Sequence, residues 1–272
     1  MATSGGGSPT IGDILKGYVA SNEFRHLSKA SKKSYSYALD KWNPHLGESA
    51  ESVVDIAIDV RDKLWRDKPG MARLFLSVSS AMFGWATGNR LIKANPIKGL
   101  TRPKIGAHKQ WPDRAVEQAL ESFPDDVRLA VLIGLQTAQR IGDICDAKTT
   151  DIYDGVWHLK QSKTGTELRI PLGREVVDAL SRNKSVWMLG KQWRPGYLSS
   201  VVGTKLNKLG YDGLTFHGLR KVAASRMAES GCTVEELAAI TGHKTLAVVQ
   251  HYIRGADQAR LARNAFAKTF GG

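Results

Sequence analysis

Residues 101–113, Thr-Arg-Pro-Lys-Ile-Gly-Ala-His-Lys-Gln-Trp-Pro-Asp, mix proline, glycine and basic side chains and carry no apolar period. Such a stretch offers neither a helix stripe nor a strand face to bury, so it reads as a linker. Whatever the chain folds into must therefore have two cores, one drawn from about residues 10–100 and one from 114–272. A length of 272 residues is enough for both. Residues 1–9, with Ser-Gly-Gly-Gly-Ser, read as a disordered tail or an expression scar, since they have neither the charge nor the apolar run of a signal peptide.

The first block reads as helices only. Thr10 is placed to cap a helix carrying Ile11, Ile14, Leu15 and Tyr18 at helical spacing. A second helix follows Ser28, runs through Tyr35, Leu39 and Trp42, and should stop at Pro44. Its first turns present Lys29, Lys32 and Lys33 as a small basic face. A third holds Val53, Val54, Ile56, Ile58, Val60 and Leu64. A fourth runs from about Met71 to Thr87 and ends at Gly88-Asn89.

The second block mixes helices with a hairpin. Residues 155–159 and 167–172 alternate as strands do, and Lys163-Thr-Gly-Thr166 lies between them as the turn. Helices are expected at 113–122, 125–136 and 138–147, and again at 174–182, 196–209, 215–230, 233–240, 245–254 and 256–268. The fold class is mainly α: a helical domain followed by a mixed, mostly helical domain with a small β-hairpin or sheet.

Charge narrows the function. The chain carries a net +13. Residues 1–100 hold 14 Lys/Arg against 9 Asp/Glu, so both blocks are basic, as expected if both touch one polyanion. No run approaches the roughly 20 apolar residues of a membrane span. The two cysteines, Cys145 and Cys232, have no metal-ligand spacing, which suits a reducing cytoplasm. Glycine runs lack the strand, lysine and hydroxyl context of a phosphate-binding loop, and carboxylates near the motifs are too scattered for a two-metal site.

Four places in the second block carry side chains suited to chemistry on a phosphate. Arg140 and Asp143 are three apart on an expected helix, so the carboxylate could orient the guanidinium. Lys163 sits at the hairpin tip, a flexible stem ending in a proton-bearing charge. His217-Gly-Leu-Arg220 opens a helix whose exposed face would hold His217, Arg220, Lys221 and Ala224, opposite a buried Leu219, Val222 and Ala223. Arginine there could fork onto two phosphate oxygens. Finally, Thr241-Gly-His-Lys-Thr-Leu-Ala-Val-Val-Gln-His-Tyr252 reads as a helix end at Gly242, a new cap at Thr245, and Tyr252 at the edge of the apolar stripe.

Arg140, Lys163, the His217–Arg220 pair, His243, and Tyr252 nine residues after His243 together resemble the tyrosine recombinase (phage integrase) family. The likeness covers nearly the whole chain, because that family also places a helical core DNA-binding domain before its catalytic one. The family usually has Gly where Ala138 stands, often Glu in place of Asp143, and often Thr where Val248 and Val249 occur. The resemblance implies a site-specific recombinase that cuts and rejoins double-stranded DNA through a 3′-phosphotyrosyl link, with no metal and no other cofactor. Tyr252 is then the nucleophile and Lys163 the acid for the leaving 5′-oxygen. Arg140 and Arg220 hold the non-bridging oxygens, His217 takes the tyrosine proton, His243 hydrogen-bonds the phosphate, and Asp143 supports the site from behind. Lys29, Lys32, Lys33, Arg102, Lys104 and Lys221 are the expected DNA contacts. Four protomers would act on paired sites, with accessory DNA-bending proteins as possible partners, no membrane, and the prokaryotic cytoplasm as location. Residues 256–268, with Leu261, Ala265 and Phe266 as an apolar edge behind a Gly255 hinge, would reach a neighbouring protomer. There is no room before Thr10 for the arm-binding domain of many phage integrases, which implies a simple two-domain recombinase or a trimmed one. A type IB topoisomerase and a non-catalytic DNA-binding factor on the same scaffold are the competing readings.

Overall fold

In the computed structural model, residues 8–243, 249, 250, 252, 262 and 266–270 are described. The chain divides between Gly106 and Ala107 into two compact units.

The first unit is helical: α1 (Ile11–Ala20), α2 (Asn22–Arg25), α3 (Lys29–Leu39), α4 (Val53–Asp67) and α5 (Pro69–Gly88). Thr10 caps α1 in a reciprocal box, its hydroxyl accepting from the Asp13 N–H at 3.1 Å while the Asp13 carboxylate accepts from the Thr10 N–H at 3.0 Å. The four-residue α2 has too short a period to be seen in the sequence. The second expected helix ends early: α3 stops at Leu39 and the chain tightens into a 3-10 turn over Asp40–His45. Pro44 lacks an N–H and restricts the residue before it, so the last turn cannot continue as α. Trp42 lies in that turn and is fully buried against Phe75 and Phe83, at ring distances of 5.3 and 5.5 Å, with its indole N–H donating to Ser79 Oγ at 2.9 Å. A buried indole N–H needs such a partner.

The second unit contains α6 (Asp113–Ser122), α7 (Asp125–Thr137), α8 (Ile141–Asp146), strands β1 (Ile152–Tyr153), β2 (Val156–Lys160) and β3 (Glu167–Pro171), then α9 (Arg174–Ser181), α10 (Pro195–Lys208), α11 (Phe216–Glu229) and α12 (Val234–Thr241). The strands form an antiparallel sheet in the order β1-β2-β3. Trp157 pairs with Ile152 on one side and Ile170 on the other, and Trp157, Leu159 and Ile170 face the core. The two-residue β1 is below the length at which alternation can be read. Helix α7 is the buried centre. Gly134 on it admits the Phe216 ring of α11 so closely that a Cβ would stand 2.9 Å from the ring edge.

Two local expectations change. The helix expected over 138–147 is broken: Ala138 ends α7 in the left-handed conformation, φ 51°, Arg140 is extended, and helix resumes only at Ile141. The break turns the chain so that Arg140 caps α8 instead of lying within a continuous helix. On α11, Arg220 is 5% exposed and Ala224 1% exposed, so neither belongs to an open face. Helices α7, α10 and α12 all pack on α11, which leaves a much narrower exposed strip than an isolated amphipathic helix would have. The helices expected at 245–254 and 256–268, with Thr245, Gly255 and Leu261, fall mostly outside the described residues, as does most of the 1–9 tail. Val249, Gln250, Tyr252, Ala262 and 266–270 are helical, and Phe266 is 65% exposed.

Ala138 explains why glycine suits its position. A left-handed alanine costs roughly 1–2 kcal/mol, while Ala138→Gly gives up a fully buried methyl worth about 0.8 kcal/mol and adds roughly 0.4–1 kcal/mol of unfolded-chain entropy. These terms nearly cancel. Ala138→Gly is expected to stay within about 1 kcal/mol of the parent in thermal unfolding, whereas Ala138→Val, β-branched and overpacked at φ 51°, should lose more than about 2 kcal/mol.

Candidate active site

The site is built on two buried glutamines. Gln139 is fully buried immediately after the left-handed Ala138; its amide nitrogen donates to the carbonyls of Thr137 at 2.9 Å and Ile240 at 2.6 Å. Its amide oxygen accepts from Gln161 Nε2 at 2.6 Å, and that same nitrogen donates to the Thr241 carbonyl at 3.0 Å. Gln161 is fully buried too, and its Oε1 accepts from Thr164 Oγ1 at 2.7 Å inside the hairpin turn. One amide pair thus joins the start of α8, the β2–β3 hairpin and the end of α12. Gly242 is required beside it: its φ is +68°, and a Cβ there would stand 2.6 Å from the Gln161 amide.

The Thr241 carbonyl also accepts from Arg220 Nη2 at 2.9 Å. Arg220 Nη2 lies 3.1 Å from His243 Nε2, and His243 Nδ1 lies 2.7 Å from Thr241 Oγ1. Since a guanidinium can only donate, His243 Nε2 is the acceptor and the ring proton sits on Nδ1. Thr241 Oγ1 receives that proton's hydrogen bond and donates its own to the Leu237 carbonyl at 2.7 Å. His243 is therefore neutral here. Burial, then the charges of Arg220, Arg140 and His217, push its pKa down to about 4.

Asp143 links the other two motifs. It is 3% exposed; Oδ1 accepts from both the backbone N–H and the hydroxyl of Ser162, at 2.9 and 2.8 Å, and Oδ2 lies 3.9 Å from Arg140 Nη1. Ser162 precedes Lys163, so the carboxylate that faces Arg140 also anchors the turn bearing the lysine. Lys163 itself is exposed. The wider hairpin is held by an Lys160–Glu167 ion pair at 2.9 Å, too exposed to contribute much.

Electrostatics identify what else is near. Arg220 has its pKa lowered to about 10 by burial and then by Arg140, with Tyr252 and Asp143 opposing. Burial raises the pKa of the half-buried Tyr252 phenol, and Arg220 draws it back down. His217 keeps an exposed edge, and its pKa is lowered by partial burial, then by His108, Arg220, Lys221 and Arg140. So Arg140, His217, Arg220, His243 and Tyr252 form one cluster, with Asp143 as its carboxylate. Arg140 Nη1 and Arg220 Nη1 are buried and, among the described residues, have no hydrogen-bond acceptor. Buried donors without acceptors are costly, and two of them in one positive pocket suit an anion. Among the described residues no group of three or more His, Cys, Asp or Glu could hold a metal.

Of the other expected contacts, five belong to the first unit and Lys221 borders the site. Lys29 and Lys33 are exposed and Lys32 half-buried on α3; Arg102 and Lys104 are exposed at the end of the first unit. Lys221 donates to the His108 carbonyl at 2.8 Å. Sequence reading missed Gln139, Gln161, Thr241 and His108. Buried amides have no periodic signature, and only their adjacency to Arg140, Lys163 and His243 could have drawn attention to them.

A mostly helical unit with a small antiparallel sheet carries two arginines, two histidines and a tyrosine around a pair of acceptor-free guanidinium donors, a composition suited to an anion. Residues 112–259 match the model of the phage integrase family. The integrase of Escherichia phage lambda is 31% identical over 221 residues, 73% of this chain and 62% of that protein. Two solved structures are similar: a lambda integrase dimer bound to a COC′ core site, with TM-score 0.76 at 23% identity over 90% of this chain and 77% of that one; and a lambda integrase tetramer bound to a Holliday junction, with TM-score 0.73 at 24% identity over 88% and 78%. The chain belongs to the phage integrase family and has its mainly helical fold. It spans about three fifths of the length of the first curated relatives it matches. Among the described residues no helix is long and apolar enough to cross a membrane.

Both site histidines hold protons less readily than in the unfolded chain, where imidazoles titrate near about 6.5. Below that pH the unfolded state gains protons that the folded site refuses, so stability present above pH 6.5 is lost as the pH falls toward about 4 for His243. Melting temperature at low salt should drop across this window, and the drop should be smaller in His243→Asn.

Proposed function

We propose that this chain is a site-specific DNA recombinase acting through a covalent tyrosine intermediate. The observation that carries the reading is the pair of buried, acceptor-free guanidinium nitrogens of Arg140 and Arg220 beside the Tyr252 phenol. A phosphodiester placed there has its two non-bridging oxygens held as charge builds in the transition state. Tyr252 Oη forms a bond to phosphorus, the bond to the 5′-oxygen breaks, and the 3′-phosphate stays on the enzyme. The phenol proton passes to His217, whose lowered pKa leaves it neutral and able to accept. Lys163 Nζ supplies a proton to the departing 5′-oxygen, brought to it by the Asp143–Ser162 anchor. Rejoining runs the same transfers backwards with a 5′-hydroxyl from a partner strand.

His243 has two parts in this scheme. Without DNA it aligns Arg220. A phosphate oxygen entering between them would raise its proton affinity and turn Nε2 into a donor. Residues 10–100 would serve as the core DNA-binding domain, with Lys29, Lys32 and Lys33, and with Arg102 and Lys104 in the 101–113 linker, contacting phosphates; Lys221 would do so beside the site. Residues 114–272 would form the catalytic domain. The lambda integrase dimer bound to a core site and the tetramer bound to a Holliday junction support recombination sites in double-stranded DNA as substrate and a homotetramer as the assembly. Integration or excision of a mobile element in a prokaryotic cytoplasm, with or without DNA-bending helpers, completes the reading.

A nicked suicide substrate run on a denaturing gel tests it. Parent protein should form a covalent adduct and, with a second site present, exchange strands. An adduct without exchange would favour a topoisomerase, and no adduct a binding factor. Tyr252→Phe is expected to bind the site within about twofold of the parent and to form no adduct, because only the phenolic oxygen can make the bond. Lys163→Ala should lose on the order of 10²-fold or more in cleavage. A substrate with sulfur in the 5′-bridging position, which leaves without a proton, should restore it, while Arg220→Ala should stay defective on both substrates.

A further inference from the structure

The segment opening the second unit is fastened along α11. Trp111 Nε1 donates to the Thr215 carbonyl at 2.8 Å, and Gln110 Nε2 donates to Ser225 Oγ at 2.7 Å. Lys221 Nζ donates to the His108 carbonyl at 2.8 Å, and Thr215 Oγ1 lies 3.0 Å from His108 Nδ1. Gly218 is the gap that lets the strand pass, since a Cβ there would run into the Lys109 carbonyl. Four hydrogen bonds thus tie residues 108–111 to α11 and to Thr215 at its N-cap. Their common effect is to set the His108 ring against His217, with centroids 4.6 Å apart and planes 55° apart.

We propose that His108 is a positioning residue for His217, fixing the orientation of its imidazole and keeping it ready to accept a proton. The inference rests on the reading of His217 as the acceptor of the tyrosine proton. Among the charged neighbours His108 does most to lower the proton affinity of His217, because charge on one ring must be brought up against the other. The charged or titratable groups facing His217 are His108 from the strap, Arg220 and Lys221 from its own helix, Arg140 from the start of α8 and His243 from beyond α12. Each of them is a cation or becomes one on protonation. Arg140, Arg220 and His243 have anion or guanidinium partners to serve. His108 faces His217 from the solvent side, with its own Nδ1 engaged by Thr215. It therefore acts on His217 without needing to touch DNA, which distinguishes positioning from catalysis.

Two replacements separate its packing from its charge. His108→Phe keeps a ring against His217 and removes the titrating group; His108→Ala removes both. In single-turnover cleavage of the suicide substrate by the full chain, His108→Phe should keep the plateau rate and move the acid limb of the pH profile to higher pH, losing about threefold or more at pH values on that limb. His108→Ala should show the same displacement and a lower plateau that the phenylalanine restores. Site affinity should be unchanged in both. A titration of the His217 imidazole by NMR in the DNA-free protein should show its midpoint raised by His108→Phe. Parent-like pH profiles and an unmoved His217 titration would overturn the proposal, as would a plateau loss in His108→Ala that phenylalanine fails to restore. If His217→Gln itself kept the parent's cleavage profile while His108→Phe still moved the His217 titration, the base assignment would fail and the coupling of the two rings would stand.

Discussion

The hydrogen bond between the amides of Gln139 and Gln161 ties together the start of α8, the β2–β3 hairpin and the end of α12, the segments beside Arg140, Lys163 and His243. A buried side-chain amide must satisfy an oxygen and two N–H groups, and an incomplete set costs more than an apolar replacement would. Here the amide pair finds its partners in one another and in carbonyls at the end of α12. The Thr241 carbonyl is the shared acceptor, and Arg220 uses it as well. The orientation of Arg220 is therefore set by the same few bonds that bring the hairpin to α8. Removing either glutamine would leave donors and acceptors stranded in three segments at once.

Around that frame the charges are deliberately unbalanced in sign. Two guanidiniums and two imidazoles converge with Asp143 as the carboxylate among them, and Asp143 gives one oxygen to Ser162. The arrangement leaves both histidines neutral at physiological pH and leaves two arginine nitrogens without acceptors. Repulsion among like charges is tolerable because a polyanion would relieve it. Net positive charge over both blocks of the sequence would act in the same direction at longer range on such a partner.

The sequence disclosed the cluster's side chains and concealed its frame, for reasons specific to each residue. Helix caps such as Thr10 and Gly242 are local, so a few neighbours determine them. The residues that cluster were legible through their order and spacing. Their environment was less so: α11 looked like an amphipathic helix with Arg220 on its open side, but packing by helices distant in sequence buries that side chain. The break at Ala138 was hidden because alanine is a strong helix former and nothing local forbids it from continuing. The turn carries Gln139 to partners 22 and 101 residues away, which no local pattern could signal. The linker's two halves could not be told apart either, since the fastening of 107–111 depends on Thr215, Lys221 and Ser225, more than a hundred residues downstream.

Gln139 reaches Gln161 across 22 residues and Ile240 across 101, and Gln161 reaches Thr241 across 80. A pocket pinned together by contacts of such separation needs all three segments at once. During synthesis the arginine of the first motif emerges long before the carbonyl that completes the frame, and a chain cut short anywhere before Thr241 lacks it altogether. The arrangement thus comes into being only once all three segments are in place, so fragments and half-made copies of the chain would lack it.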